Sequence, residues 1–275
     1  MGDDLHEKFL KHLQDTGSLN HTIFIFMSDH GIRFGGIRQT YQGRLEERLP
    51  FVFFVFPKWF QDVYPTAVSN LRKNANRLTT PFDIYETLLD ILDLGKIEKL
   101  SIQKRSEELD KVELKPRQIS LFLPVHKSRT CDEAGIDPHW CTCQSSKPVP
   151  VTDDRIKNLS LILVEHLNSL LKPYGVCSQL QLAEVKSASV EYPLEHLCNK
   201  TKDQGLNDYV LVVRTTPGDA LFEATLRHHI GNNSIQVAGV VSRINVYGSQ
   251  SSCVTDFHMK LYCYCNSYFR TRTKL

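Results

Sequence analysis

The first 130 of the 275 residues contain no cysteine, so no disulfide can tie that half together from within. Long apolar runs are also missing. The longest strongly apolar stretch, 49–56, stops at Pro57, far short of the roughly 20 residues a membrane-spanning helix needs. No sign of charge dominates: 33 basic and 31 acidic residues leave a net charge of +2. That balance provides no electrostatic basis for binding nucleic acid or an anionic membrane surface. Internal repeats and low-complexity segments are absent, and with 41% apolar residues the chain can bury a core. The start lacks the pattern of a leader as well. Met1 is followed by Gly-Asp-Asp and a charged segment, which alone predicts a cytosolic protein.

What is present points the other way. Eight cysteines, at 131, 141, 143, 177, 198, 253, 263 and 265, all lie from residue 131 onward. An even number confined to one region predicts disulfides formed in an oxidising compartment. Reduced or metal-bound thiols are the alternative, although Cys141-x-Cys143 and Cys263-x-Cys265 lack the usual zinc spacing. Cys141 and Cys143 are too close in sequence to bridge each other, and Cys263 and Cys265 are expected to take two different partners. Four N-x-S/T sequons, at Asn20, Asn158, Asn199 and Asn232, are glycosylation candidates. Together these predict an extracellular or secretory-lumen protein, the chain being the tail of a longer one.

Apolar spacing at Leu5, Phe9 and Leu13 predicts a helix over 5–13. Segments 21–27 and 49–56 are dense in β-formers and are expected as strands buried on both faces of a sheet. Segment 60–77 is expected as helix and turn. Thr80-Pro81 carries a helix-start signal, Thr80 as N-cap and Pro81 at the first helical position, opening a helix over 82–94. Residues 97–115 are expected as a charged, solvated linker or insertion. The composition changes near residue 130, where 131–150 reads as a cysteine-bearing loop. Ile156, Leu159, Leu163 and Leu167 share one face of a helix over 153–171. Candidate strands follow at 179–192, 208–215, 220–228, 234–247 and 258–265, with turns at 217–219 and 231–233. The expected architecture is α/β over 1–129, then a cysteine-stapled α+β antiparallel subdomain over 130–275.

Ser28-Asp29-His30-Gly31 directly follows the first candidate strand, where open α/β sheets place their sites. Carboxylate and imidazole both bind divalent metals, and Gly31 gives the backbone freedom to aim both at one ion. The plainer reading is a helix-capping aspartate beside a surface histidine. Arg33, Arg38, Arg44 and Arg48 follow within 18 residues of His30. Their guanidinium forks suit a sulfate or phosphate group, or they pair with carboxylates such as Glu46 and Glu47. His228-His229 near a turn reads as surface.

The ordered set 23–31 (IFIFMSDHG), 46–54 (EERLPFVFF), 83–92 (DIYETLLDIL) and 120–122 (SLF) resembles the end of the catalytic domain in alkaline phosphatases and sulfatases. Arg33-Phe34-Gly35, 42–48 (QGRLEER) and 139–143 (HWCTC) resemble the animal family catalogued as domain of unknown function 229, over roughly residues 5–270 and its C-terminal part only. The superfamily resemblance implies the C-terminal part of an α/β/α sandwich. It implies Asp29 and His30 as ligands of one divalent ion (Ca, Mg, Mn or Zn), completed by acidic residues and a nucleophile from an N-terminal half this chain does not include. Histidine is absent from 31–125, which favours the single-metal, sulfatase-like branch over the two-zinc one. Arg44 is the nearest basic residue to a lysine that contacts the substrate anion in sulfatases, and Arg33 and Arg38 share that candidacy. The implied function is part of a phosphate- or sulfate-ester hydrolase, on small or glycan-borne esters, with no catalytic residue of its own and inactive as it stands. The alternative is a secreted glycoprotein that keeps the fold without catalysis.

Overall fold

The computed structural model describes residues 2–193 and 205–268. It is a mixed α/β fold whose sheets are antiparallel. The chain opens with helix α1 (Asp3–Asp15), strand β1 (Phe24–Met27), helix α2 (Tyr41–Arg48) and strand β2 (Val52–Val55). Helices α3 (Lys58–Val63), α4 (Pro65–Asn74), α5 (Pro81–Leu92) and α6 (Lys99–Lys111) follow. Then come β3 (Gln144–Pro148), α7 (Asp154–Leu171), β4 (Gln181–Pro193), β5 (Leu206–Thr216), β6 (Ala220–His229), β7 (Ser234–Val237) and the short β8 (Ser242–Arg243). Two compact units result. Met1–Gly31 and Leu49–Gly135 form the first; Ile32–Arg48 and Ile136–Leu275 form the second. The segment Ile32–Arg48 thus belongs with residues far downstream of it, rather than with the sequence on either side.

In the first unit β1 and β2 pair antiparallel as a two-stranded sheet, with Phe24 opposite Val55 and Met27 opposite Val52. These strands are not buried on both faces as the sequence predicts: Phe53 is 61% exposed, and Phe51, Met27 and Val55 also face solvent. The core lies instead among the helices, where Phe60, Ala67, Val68, Ile97, Ile102, Ile119 and Phe122 pack together. Residues 97–115 are no solvated linker, because α6 and the turn before it place Ile97 and Ile102 in this core. The cap at α5 forms as expected, with Thr80 and Asp83 in a capping box and Pro81 at the first position.

The apolar stretch after α6 is buried without joining a sheet. Side chains supply what strand partners would. Asn74 donates to the carbonyls of Leu121 and Leu123 and accepts from Val125 N–H; Asn70 donates to Phe122 O. Asp83 accepts from Ile119 N–H at 2.8 Å. Asp83 is fully buried and also receives both arms of the Arg129 guanidinium, at 2.8 and 3.1 Å. Such a bidentate pair satisfies two charges that burial would otherwise make costly.

The second unit is built on a sheet in the order β3-β4-β5-β6-β7, with β8 also pairing β6. Alternation assigns its two faces. Phe222, Ala224 and Leu226 of β6 join the core formed with Ile156, Leu159, Leu163 and Leu167 of α7, all four at 0% exposure. This is the helix face read from the sequence. The intervening Leu221, Glu223 and Thr225 point to the opposite face and are buried too. The candidate strand over 234–247 shortens to β7 and β8. Residues 258–265 form a 3-10 turn (Met259–Leu261) and a single bridge at Cys265 in place of the predicted strand.

Candidate functional site

Asp29 and His30 stand just past the C-terminal end of β1, where Ser28 N–H still donates to Phe51 O at 3.1 Å. The Asp29 side chain is 86% exposed and that of His30 36% exposed. The turn brings them together. Asp29 Oδ1 accepts from His30 N–H at 2.8 Å, and Asp29 Oδ2 lies 3.5 Å from His30 Nε2. His30 Nδ1 sits 2.7 Å from Gly31 O. That contact puts the ring proton on Nδ1 and leaves the Nε2 lone pair facing the carboxylate side, the tautomer a metal-binding histidine uses. Two ligands at about 2.1 Å from a tetrahedral ion are separated by roughly 3.4 Å, so the observed spacing fits one ion shared by both. Among the described residues, no group of three or more ligands includes either residue.

The arginines divide. Arg33 is exposed. Arg38 is buried at 1% exposure, donates to both oxygens of Glu223 at 3.0 and 3.1 Å, and pairs with Glu47. Arg48 donates to Glu223 Oε1 at 2.6 Å, and Arg44 to Glu191 Oε1 at 3.0 Å. Arg38 and Arg44 therefore hold carboxylates of the sheet, and a buried, doubly paired Arg38 is not presented to a substrate anion. Gly43 lets α2 close against the backbone of Ile37 and Arg38: a Cβ there would lie 2.0 Å from Ile37 O. All these partners lie in the second unit, whereas Asp29 and His30 lie in the first.

His139 completes the cluster. It is fully buried, with Nδ1 3.2 Å from Thr225 Oγ1 and Nε2 2.9 Å from Ser242 Oγ. Burial and the Arg48 charge push its pKa down to about 3. Glu223 moves the same way. Burial raises its pKa, but the Arg38 hydrogen bond and the charges of Arg48 and Arg38 outweigh that and hold it at about 2. Burial and the neighbouring Arg44 and Arg38 charges lower Arg48 to about 10, against the pull of Glu223. The Ser242 hydroxyl beside an imidazole has the outline of a nucleophile and base. Proton transfer to His139 would create an imidazolium against Arg48 in a dry site, so the electrostatics make it a poor base. The cluster acts as a latch that fastens Ile32–Arg48 to β6.

Sequence reading missed Glu223 and His139 as partners of the arginines. One signal was available: Glu223 interrupts the apolar run Ala220-Leu221-Phe222 and Ala224. A lone acid in a strand buried on both faces requires a cationic partner.

The disulfides join Cys177 to Cys263 and Cys253 to Cys265, so Cys263 and Cys265 do take different partners. Cys131 and Cys141 are disulfide-bonded as well. Cys143 is half-buried, and Cys198 lies outside the described residues. Of the sequons, Asn20, Asn158 and Asn232 are exposed, and Asn199 lies outside the described residues.

The sequence profile of a family described as protein of unknown function (DUF229) matches residues 1–186. The chain belongs to this family. The DUF229 match takes in Asp29, His30, the latch arginines and His139, while Glu223 and the cysteines from 253 onward lie beyond it. No curated protein matches the chain. Among the described residues, no helix is long and apolar enough to cross a membrane.

Proposed function

We propose that this chain is part of a metal-dependent phosphate- or sulfate-ester hydrolase-like protein of the alkaline phosphatase/sulfatase superfamily, and that Asp29 and His30 are two ligands of its divalent ion. The observation that carries this reading is their geometry: 3.5 Å between Asp29 Oδ2 and His30 Nε2, with Nδ1 occupied by Gly31 O. A bound ion would polarise the ester oxygens and lower the pKa of an attacking group. Two ligands do not complete such a site. The β1–β2 pair supports the same view, because a two-stranded sheet with Phe53 in solvent is marginal by itself and is more stable as part of a wider sheet. As it stands the chain is inactive on such esters. The disulfides support an extracellular or secretory-lumen location. The second reading is a secreted glycoprotein without catalysis, favoured by arginines that are engaged by Glu223 and Glu191 instead of lining an open site.

Manganese titration followed by NMR tests the ligand assignment. Paramagnetic broadening should be selective for the His30 ring and disappear in Asp29→Ala. Uniform or absent broadening contradicts it. Metal-dependent turnover of aryl phosphate or sulfate by the purified chain, abolished by Asp29→Ala, would show instead that the site is complete.

A further inference from the structure

Cys177, Cys253, Cys263 and Cys265 gather in one compact group within the second unit. The two disulfides lie side by side: Cys253 Sγ is 3.8 Å from Cys263 Sγ, a sulfur of the other bridge. The sulfurs of Cys177, Cys253 and Cys263 all fall within 4.8 Å of one another. The backbone adds a second relation. Cys177 and Cys265 face each other across an antiparallel bridge. The flanking hydrogen bonds run from Ser178 N–H to Tyr264 O at 2.8 Å and from Asn266 N–H to Val176 O at 2.9 Å. Cys177 and Cys265 are therefore a non-hydrogen-bonded pair, the kind whose Cα atoms come closest, at about 4.5 Å. That spacing lies within the roughly 4.4–6.8 Å a disulfide spans. Cys253 and Cys263 are thus within reach of each other across the two bridges, and the backbone sets Cys177 opposite Cys265.

We propose that this group is a thiol-reactive site, at which a low-molecular-weight thiol rearranges the bridges to Cys177–Cys265 and Cys253–Cys263. Exposure fixes the entry point: Cys253 is exposed, Cys177 is half-buried, and Cys263 and Cys265 are each 1% exposed. The external thiolate attacks Cys253 Sγ. A mixed disulfide forms, the Cys253–Cys265 bond breaks, and its electron pair leaves on Cys265. The Cys265 thiolate attacks Cys177 Sγ across the bridge, and the pair passes to Cys263. The Cys263 thiolate then attacks Cys253 Sγ, 3.8 Å away in the starting state, and expels the external thiolate. Three bonds form and three break, nothing is oxidised overall, and the thiol is recovered. Cys177 also lines a cavity of about 430 Å³ at the end of α7, with Tyr174, Gly175 and Ser178. The exchange changes what one wall of that cavity is tied to.

The experiment uses the full oxidised chain. It is incubated at mildly alkaline pH with a catalytic amount of glutathione, quenched with acid, alkylated and mapped by non-reducing peptide mass spectrometry. Cleavage after Tyr264 separates Cys263 from Cys265. The expected result is both connectivities, the second accumulating only with thiol present while the free-thiol count stays constant. The starting connectivity alone at every time point overturns the proposal. The double variant Cys253→Ala, Cys263→Ala gives an independent reading, since it leaves Cys177 and Cys265 to pair. A folded variant, by circular dichroism, with the Cys177–Cys265 bridge supports the proposal; a folded variant with both thiols free refutes it. If the variant does not fold, the mapping of the unaltered chain decides.

Discussion

In the second unit, four residues of one helix face reach 0% exposure against a five-strand path of sheet, and two disulfides close that unit near its end. In the first unit, an aromatic ribbon of two strands leaves Phe51 and Phe53 largely in solvent, and the buried apolar residues lie among short helices. The sequences of the two regions are similarly apolar. What differs is the number of layers. A strand is sealed only when something covers each face, and α7 with the Ile32–Arg48 segment does this for β6, whereas among the described residues β1 and β2 pair only with each other.

The latch should show the largest single effect. Glu223→Ala leaves Arg48 buried without a carboxylate and Arg38 with Glu47 alone, a loss expected at about 3–5 kcal/mol. Chemical denaturation measures it, and a change below about 1 kcal/mol would mean the arginines simply re-solvate. The contrast between units comes next. Leu163→Ala in α7 should cost about 2–5 kcal/mol. Phe53→Ala on the ribbon should stay within about 0.5 kcal/mol. Equal costs would show that the ribbon is covered in solution.

Acid should weaken the second unit in two stages. Its His139 takes up a proton near pH 3 when folded, against an ordinary value of 6.5, so the unfolded chain binds that proton first. Stability therefore falls as pH drops from about 6.5 towards 3. Glu223, depressed from 4.5 to about 2, contributes fully above pH 4.5, and that contribution is lost as pH falls towards 2. His139→Gln should remove the first stage and leave the second. The smallest expected effect is Asp29→Ala, within about 0.5 kcal/mol, because its side chain is 86% exposed. A larger loss would make Asp29 a structural residue.

Much of the second unit was legible because its signals are local. The spacing of Ile156, Leu159, Leu163 and Leu167 states a helix face, and in the first unit Thr80-Pro81 states a helix start in the same local way. Separate partners for Cys263 and Cys265 were expected from alternation in a strand, and the partners are separate although that strand does not form. The failures are non-local. Residues 49–56 read as a doubly buried strand, since apolar sequence records a preference for burial and not what supplies the cover. The 119–123 stretch is buried but satisfied by Asn74, Asp83 and Thr87, whose roles depend on where α4 and α5 lie. The closeness of Asp29 to His30 was readable from their adjacency and Gly31. Glu47 as a partner of the arginines was readable too, whereas Glu223, 185 residues from Arg38, was not.

That separation has a consequence in time. During synthesis the segment with Arg38 and Arg48 emerges long before Glu223. At about 5–20 residues per second, the 185-residue interval lasts roughly 10 to 40 seconds. Throughout it the guanidinium groups are solvated, and the face of β6 they will cover does not exist. Residues 136–275 made alone would form β6 with Glu223 beside His139 but without the guanidinium groups of Arg38 and Arg48. Folding of the second unit is therefore a late event that closes a very long loop, slow by topology, and the segment Ile32–Arg48 waits for its sheet partners until the last strands are made.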